Sequence, residues 1–147
     1  MEIAGTVSAL LREKNRILYS IEPTATVYAA LELMAAHNIG ALPVMEAGKL
    51  VGMLSERDYT RKVILKGRAS KNTPVGEIMT RNPTTAQPDD YIGECMRVMT
   101  EQRVRHLPVL DGNEVVGILS IGDLVKWIIS SQSATIDQLT KYIYGEA

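Results

Sequence analysis

The chain has 147 residues, long enough to bury one core without disulfides or metals. Its 46 % hydrophobic and 22 % charged residues are ordinary for a water-soluble globular protein, and a formal net charge of −1 offers no general attraction for nucleic acid or anionic lipid. No apolar run reaches the roughly 20 residues that span a bilayer, the N-terminus lacks a secretory pattern, and a lone cysteine, Cys95, excludes an internal disulfide; a reducing, cytoplasmic location is expected.

Residues 1–16 form an N-terminal helical segment, because Val7, Leu10, Leu11 and Lys14 recur at helical spacing behind Thr6, a natural N-cap. Residues 17–21 are a short β-type run that Glu22-Pro23 stops, since proline cannot sit inside a central strand. From Thr26 to Ala36, Val27, Ala30, Leu31 and Met34 fall on one helical face, and Asn38 and Gly40 suit its end. Ala41–Met45 and Leu50–Leu54 are apolar strands joined by a turn. After Ser55 the spacing becomes helical, with Tyr59, Val63 and Ile64 inward.

Residues 67–81 read as a polar linker in which Thr73-Pro74 starts one helical turn, with Pro74 at the first helical position. A further helix spans Tyr91 to Gln102 with Ile92, Cys95, Met96 and Met99 buried. Asp111-Gly112 marks a hairpin turn between two further strands. Residues 132–147 form a C-terminal amphipathic helix presenting Ile136, Leu139, Tyr142 and Ile143.

The second half repeats the first. Pro43 pairs with Pro108, Gly52 with Gly117, Ser55 with Ser120 and Asp58 with Asp123, all in one ungapped register. Such a period means one supersecondary unit used twice. The chain is therefore expected to be α/β (α+β), a tandem pair of β-α-β-β-α repeats over residues 17–66 and 82–131.

Gly-x-x-Ser-x-x-Asp occurs in both copies and has two readings. As structure it is a capping box, Ser at the N-cap and an acid three residues later. As a site, the helix start favours phosphate and the carboxylate can grip the two hydroxyls of a ribose. Three details favour the site: the acid is Asp, which reaches back to the cap amide less readily than Glu, a glycine ends each strand, and the helix N-terminus attracts anions. The copies also differ in charge. Arg103, Arg105 and His106 stand where the first copy has Asn38, Gly40 and Ala41, and Arg57 stands where the second has Gly122. Cations beside the first carboxylate would pair with phosphate. Cys95, His37 and His106 have no metal-ligand spacing, and the methionines sit mostly on apolar faces as core filler.

The duplicated unit, the Leu-Pro-Val strand and Gly-x-x-Ser-x-x-Asp resemble the CBS domain, named after cystathionine β-synthase. The paired arrangement is similar to the Bateman module of IMP dehydrogenase and of the AMP-activated protein kinase γ subunit, and the wider motifs resemble small bacterial stand-alone CBS proteins. The resemblance covers residues 17–131 and implies a pseudo-two-fold pair with two clefts, each built from both repeats. It implies that Ser55 and Asp58 work beside Arg103, Arg105 and His106, with Ser120 and Asp123 facing Asn38, Gly40 and Ala41, where no cation is offered. Ser20 and Thr85 match the family's hydroxyl at the end of the first strand. The implied function is non-catalytic: an adenine nucleotide (AMP, ADP or ATP) or NAD(H) held as a regulatory ligand, with no required cofactor or metal. S-Adenosylmethionine also occurs in the family. A homodimer through repeat helices is expected, together with a protein regulated in trans. The alternative is a ligand-independent interaction module in which Ser-x-x-Asp is only a cap.

Overall fold

The computed structural model describes residues 3–14 and 17–144, with the backbone alone at 132–135, 138 and 142; the expectations for Tyr142 and the extreme termini lie outside the described residues. Helix α1 (Val7–Lys14) starts behind Thr6, whose hydroxyl accepts from the Ala9 amide at 3.3 Å. Helix α2 (Val27–His37) has Thr26 as N-cap and ends on Asn38 in the left-handed conformation, φ 53°. Strands β1 (Ala41–Glu46) and β2 (Lys49–Ser55) form a hairpin whose turn residues Ala47 and Gly48 both have positive φ. Helix α3 (Glu56–Tyr59) widens into a π turn over Thr60–Ile64.

A 3-10 turn (Ser70–Asn72), helix α4 (Val75–Ile78) and the short strand β3 (Thr80–Arg81) lead to helix α5 (Ile92–Gln102). A second hairpin, β4 (His106–Asp111) and β5 (Glu114–Ser120), runs into helix α6 (Ile121–Tyr144). The sheets are β1-β2-β3 and β4-β5, every pairing antiparallel. Both hairpins shift register at matching places, Val44/Met45 and Val109/Leu110, so the duplication extends to their irregularities.

Each repeat has its own core. Val27, Ala30, Met34, Leu42, Val44, Leu54 and Val63 close the first, and Ile92, Cys95, Met99, Leu107, Val109, Leu119 and Leu124 the second. Each core is completed by the segment leading into the other repeat. Val7 and Leu10 of α1 join the second core, while Val75 and Ile78 of α4 join the first. Equivalent backbone bonds hold both: Val7 and Ser8 donate to the carbonyls of Asp90 and Pro88, and Val75 and Gly76 to those of Ala25 and Pro23. This exchange ties the repeats together, because neither buries its apolar face without a piece of chain from outside its own unit.

Four local expectations change. The opening strand of each repeat shrinks to one parallel bridge, Ile21 with Val44 and Ala86 with Val109; flanking side chains such as Ile17 lie largely in solvent and have no neighbouring strand to prolong the ladder. Ile64 is 54 % exposed, because the π turn advances each residue through a smaller angle and rotates it off the inward face. Pro74 is the N-cap of α4, not its first helical residue, and Thr73, buried, donates its hydroxyl to the Ala69 carbonyl at 2.7 Å instead of capping. The expected C-terminal helix is not separate: α6 continues unbroken from the second repeat, since nothing between Ile121 and Tyr144 is a glycine or proline except Gly122 in its first turn.

Candidate functional site

Both Ser-x-x-Asp blocks fold as capping boxes. The Ser55 hydroxyl accepts from the Asp58 amide at 3.1 Å while the Ser55 amide donates to Asp58 Oδ2 at 2.9 Å. Ser120 and Asp123 repeat this at 3.0 and 2.8 Å. The expectation that aspartate reaches back poorly is therefore corrected: the extended Ser55 backbone (φ −123°, ψ 162°) brings the cap amide to the short carboxylate. The box uses only Oδ2 of each aspartate, and Oδ1 of Asp58 faces the Lys62 ammonium, so a ligand hydroxyl there would share the carboxylate with that lysine.

Two clefts border these boxes. The first, about 680 Å³, is lined by Ser55, Arg57 and Asp58 from one repeat and by Arg103, Arg105 and His106 from the other, with Gly40 between them. The residues expected to work beside Asp58 do come together. Arg61 and Lys62 add to them, giving five cationic side chains, plus His106, against Glu56 and Asp58. The side chains of Arg57, Arg61, Arg103 and Arg105 make no ion pair or hydrogen bond with any described residue. Lys62 is engaged, 3.1 Å from Asp58 Oδ1 and 2.9 Å from the Ile78 carbonyl oxygen. Arg103 caps α5 with φ 55°, where Asn38 caps α2. A side chain other than glycine or asparagine in that conformation is strained by about 1–2 kcal/mol.

The second cleft, about 420 Å³, is lined by Asn38, Gly40, Ala41, Ser120 and Gly122, joined by the apolar side chains of Ile17, Leu18, Ile39, Val116 and Ile118; Asp123, expected to face it, is not among its lining residues and is turned to Lys14 beside it. Here an expectation fails, because a cation is present. Lys14 reaches in from α1, its ammonium 2.8 Å from Asp123 Oδ2 and 2.7 Å from the Ile118 carbonyl oxygen. Burial alone would push the Asp123 carboxyl up; the Lys14 ammonium and the Ser120 amide outweigh it and hold it below the usual carboxylate range. The sequence signal was a lysine on the apolar stripe of α1, a position that demands a buried partner.

Ser20 and Thr85 border neither cleft. The adjacent residues Tyr19 and Thr84 do, one in each. With the opening strands reduced to single bridges, their alternation no longer fixes which neighbour faces inward. Tyr19 is held by stacking on His37, ring centroids 3.7 Å apart. Arg105 and His106 border both clefts. The His106 ring is half-buried, and desolvation, followed by the Lys14 ammonium, lowers its pKa, partly offset by Asp123. Among the described residues no group of three or more His, Cys, Asp or Glu could hold a metal, and no helix is long and apolar enough to cross a membrane.

Comparison with known proteins agrees with this architecture. Residues 11–64 and 75–130 match the CBS domain. The chain is 41 % identical over 125 residues to the mitochondrial CBS domain-containing protein CBSX3 of Arabidopsis thaliana, covering 82 % of this chain but 61 % of that protein. A protein with CBS domains from Burkholderia ambifaria superimposes with a TM-score of 0.83 at 46 % identity, over 87 % of this chain and 96 % of that one. The CBS domain pair of protein MJ0100, solved with 5′-methylthioadenosine and S-adenosyl-L-methionine, matches with a TM-score of 0.77 at 26 % identity, over 86 % and 98 %. With a duplicated unit, two hairpins irregular at the same place and a capping box at the edge of each cleft, the match settles the family: the chain belongs to the CBS-domain family, as a tandem pair.

Proposed function

We propose that this CBS pair is a non-catalytic sensor of an adenine nucleotide, AMP, ADP, ATP or NAD(H), and that the Asp58 cleft holds it. The carrying observation is the set of unpaired guanidinium groups, Arg57, Arg61, Arg103 and Arg105, beside a carboxylate in a cleft of about 680 Å³, a size usual for small-molecule sites. Asp58 would take the ribose hydroxyls and the arginines the phosphates. The strained cap at Arg103 supports this, because it aims a cation where a relaxed helix end would place asparagine. The complex of MJ0100 with adenosine compounds supports the base and ribose part of the reading; the cation surplus favours a phosphate-bearing ligand over S-adenosylmethionine.

A ligand spanning residues 17–66 and 82–131, the two repeats, stabilises whichever relative orientation it contacts better. The readout is association: a homodimer or a regulated protein in trans, meeting the exposed apolar stripe of α6, which includes Val125, Ile129 and Ile136. The single cysteine fits a cytoplasmic setting. A second reading, a ligand-independent interaction module, is favoured by that same stripe and by the capping role of both aspartates.

A thermal-shift panel with AMP, ADP, ATP, NAD, NADH and S-adenosylmethionine tests the choice. Ligand at a hundred times its dissociation constant adds about 2.7 kcal/mol, several degrees for a chain of this size. The sensor reading expects one nucleotide to raise the melting temperature and Asp58→Ala to abolish the shift, with Asp123→Ala retaining it. If no nucleotide shifts the wild type while Asp58→Ala merely melts lower, the carboxylate is a cap and the interaction module stands.

A further inference from the structure

The donors and acceptors around Asp58 do not balance within the chain. Its Oδ2 accepts from the Ser55 amide at 2.9 Å and from the Ser55 hydroxyl at 3.1 Å. Among the described residues its Oδ1 meets the Lys62 ammonium alone, at 3.1 Å. A carboxylate oxygen offers about two lone-pair sites, so one on Oδ1 stays open. The ammonium gives one of its N–H groups to the Ile78 carbonyl oxygen at 2.9 Å. Even with a second turned to Oδ1, an ammonium has one more to give. Both residues line the Asp58 cleft, so an open acceptor and an open donor stand side by side in its wall.

A single atom matches such a pair. A hydroxyl oxygen can donate to the carboxylate and accept from the ammonium, at about 2.8 Å from each, which suits partners that are themselves 3.1 Å apart. A phosphate oxygen only accepts, and the carboxylate would repel it. Lys62 is also tied to the Ile78 carbonyl, so it is less free than the unpaired arginines to follow a phosphate. The arrangement is particular to the first repeat. In the duplicated register Lys62 corresponds to Trp127, whose indole N–H goes to the Ala4 carbonyl oxygen at 2.8 Å. The π turn Thr60–Ile64 that carries Lys62 corresponds to unbroken α6, and π turns are frequent at functional sites.

Building on the nucleotide reading of the Asp58 cleft, we infer that Lys62 is a specificity-determining residue, which reads a ribose hydroxyl jointly with Asp58 and makes the cleft selective for ribonucleotides over deoxynucleotides. The arginines recognise charge, which both kinds of nucleotide carry; the lysine and aspartate together recognise the sugar.

Calorimetric titration of the full chain with AMP, ADP and ATP, each also in its 2′-deoxy and 3′-deoxy forms, tests this. The readout is the ratio of ribo to deoxy affinity. A general loss of charge changes both alike, so only a contact to the missing hydroxyl moves the ratio. Wild type should prefer a ribonucleotide over at least one deoxy form by roughly a hundredfold or more, the loss of two hydrogen bonds to charged groups. Lys62→Met, which keeps the apolar stem, should cut that preference by roughly tenfold, the loss of one. Lys62→Gln, whose amide falls one bond short of the ammonium, should do the same and serves in its place where Lys62→Met does not fold. An unchanged ratio in the folded variant, or a wild type indifferent to the missing hydroxyl, would overturn the role of Lys62 and leave the nucleotide reading in place. If AMP, ADP and ATP all fail to bind wild type the inference falls, and the sensor reading falls with it only when NAD and NADH fail too.

Discussion

The contact between Lys14 and Asp123 gives the sharpest energetic prediction, because it joins the N-terminal helix to the second capping box. The lysine side chain is 19 % exposed and the aspartate side chain 15 %. Solvent-exposed pairs contribute about 0.2–1 kcal/mol, whereas breaking a fully buried pair costs about 3–5 kcal/mol. This pair lies between, and it also satisfies the Ile118 carbonyl, so a coupling energy of about 1–2 kcal/mol is expected. Lys14→Met keeps the apolar stem, and Asp123→Asn keeps an oxygen to accept from the Ser120 amide, so a double-mutant cycle isolates the charge pair. Urea unfolding at pH 7 supplies the four stabilities.

The pH dependence has a fixed sign. The folded-state pKa of Asp123 is depressed, so its contribution is complete above the ordinary carboxylate pKa of about 4 and is lost as pH falls through the folded value. The coupling should therefore shrink in acid. A coupling energy below about 0.3 kcal/mol at pH 7, within the error of additivity, or one that grows in acid, would refute the reasoning.

Two further outcomes are expected. A Cβ at Gly52 would lie 2.6 Å from Met79 Sδ and 2.8 Å from the Thr80 carbonyl oxygen, so Gly52→Ala should cost about 1–3 kcal/mol by pushing β3 away. Gly117→Ala meets Leu11 Cδ2 at 2.8 Å, the far end of a side chain that can turn aside, so it should cost less in the same urea assay; equal costs would contradict this. Cys95 is buried in α5, and desolvation, with Asp90 and Glu94 nearby, pushes its thiol up to about 11. Its reaction with a disulfide reagent at pH 8 should follow the rate of opening of the native state, and a fast phase in native protein would disprove the burial.

Much of this protein is legible in its sequence. The register that pairs Pro43 with Pro108 and Asp58 with Asp123 fixes a duplicated fold, because matching apolar and turn residues impose the same local structure twice. The hairpins, α2, α5 and the capping boxes follow from periodicity and cap chemistry, which act within a few residues. The meeting of Arg103, Arg105 and His106 with Asp58 followed from the family resemblance and the charge asymmetry between the copies. Tertiary structure alone decided what acts between distant segments. Lys14 lies more than a hundred residues from Asp123 along the chain, and no local rule joins them. The exchange of α1 and α4 between the cores places that lysine, the loss of the opening strands leaves Tyr19 and Thr84 at the clefts instead of Ser20 and Thr85, and the meeting of the two repeats makes Arg105 a wall of both clefts. Spacing along a chain encodes which residues share a face; which faces meet depends on how the whole chain buries its apolar surface.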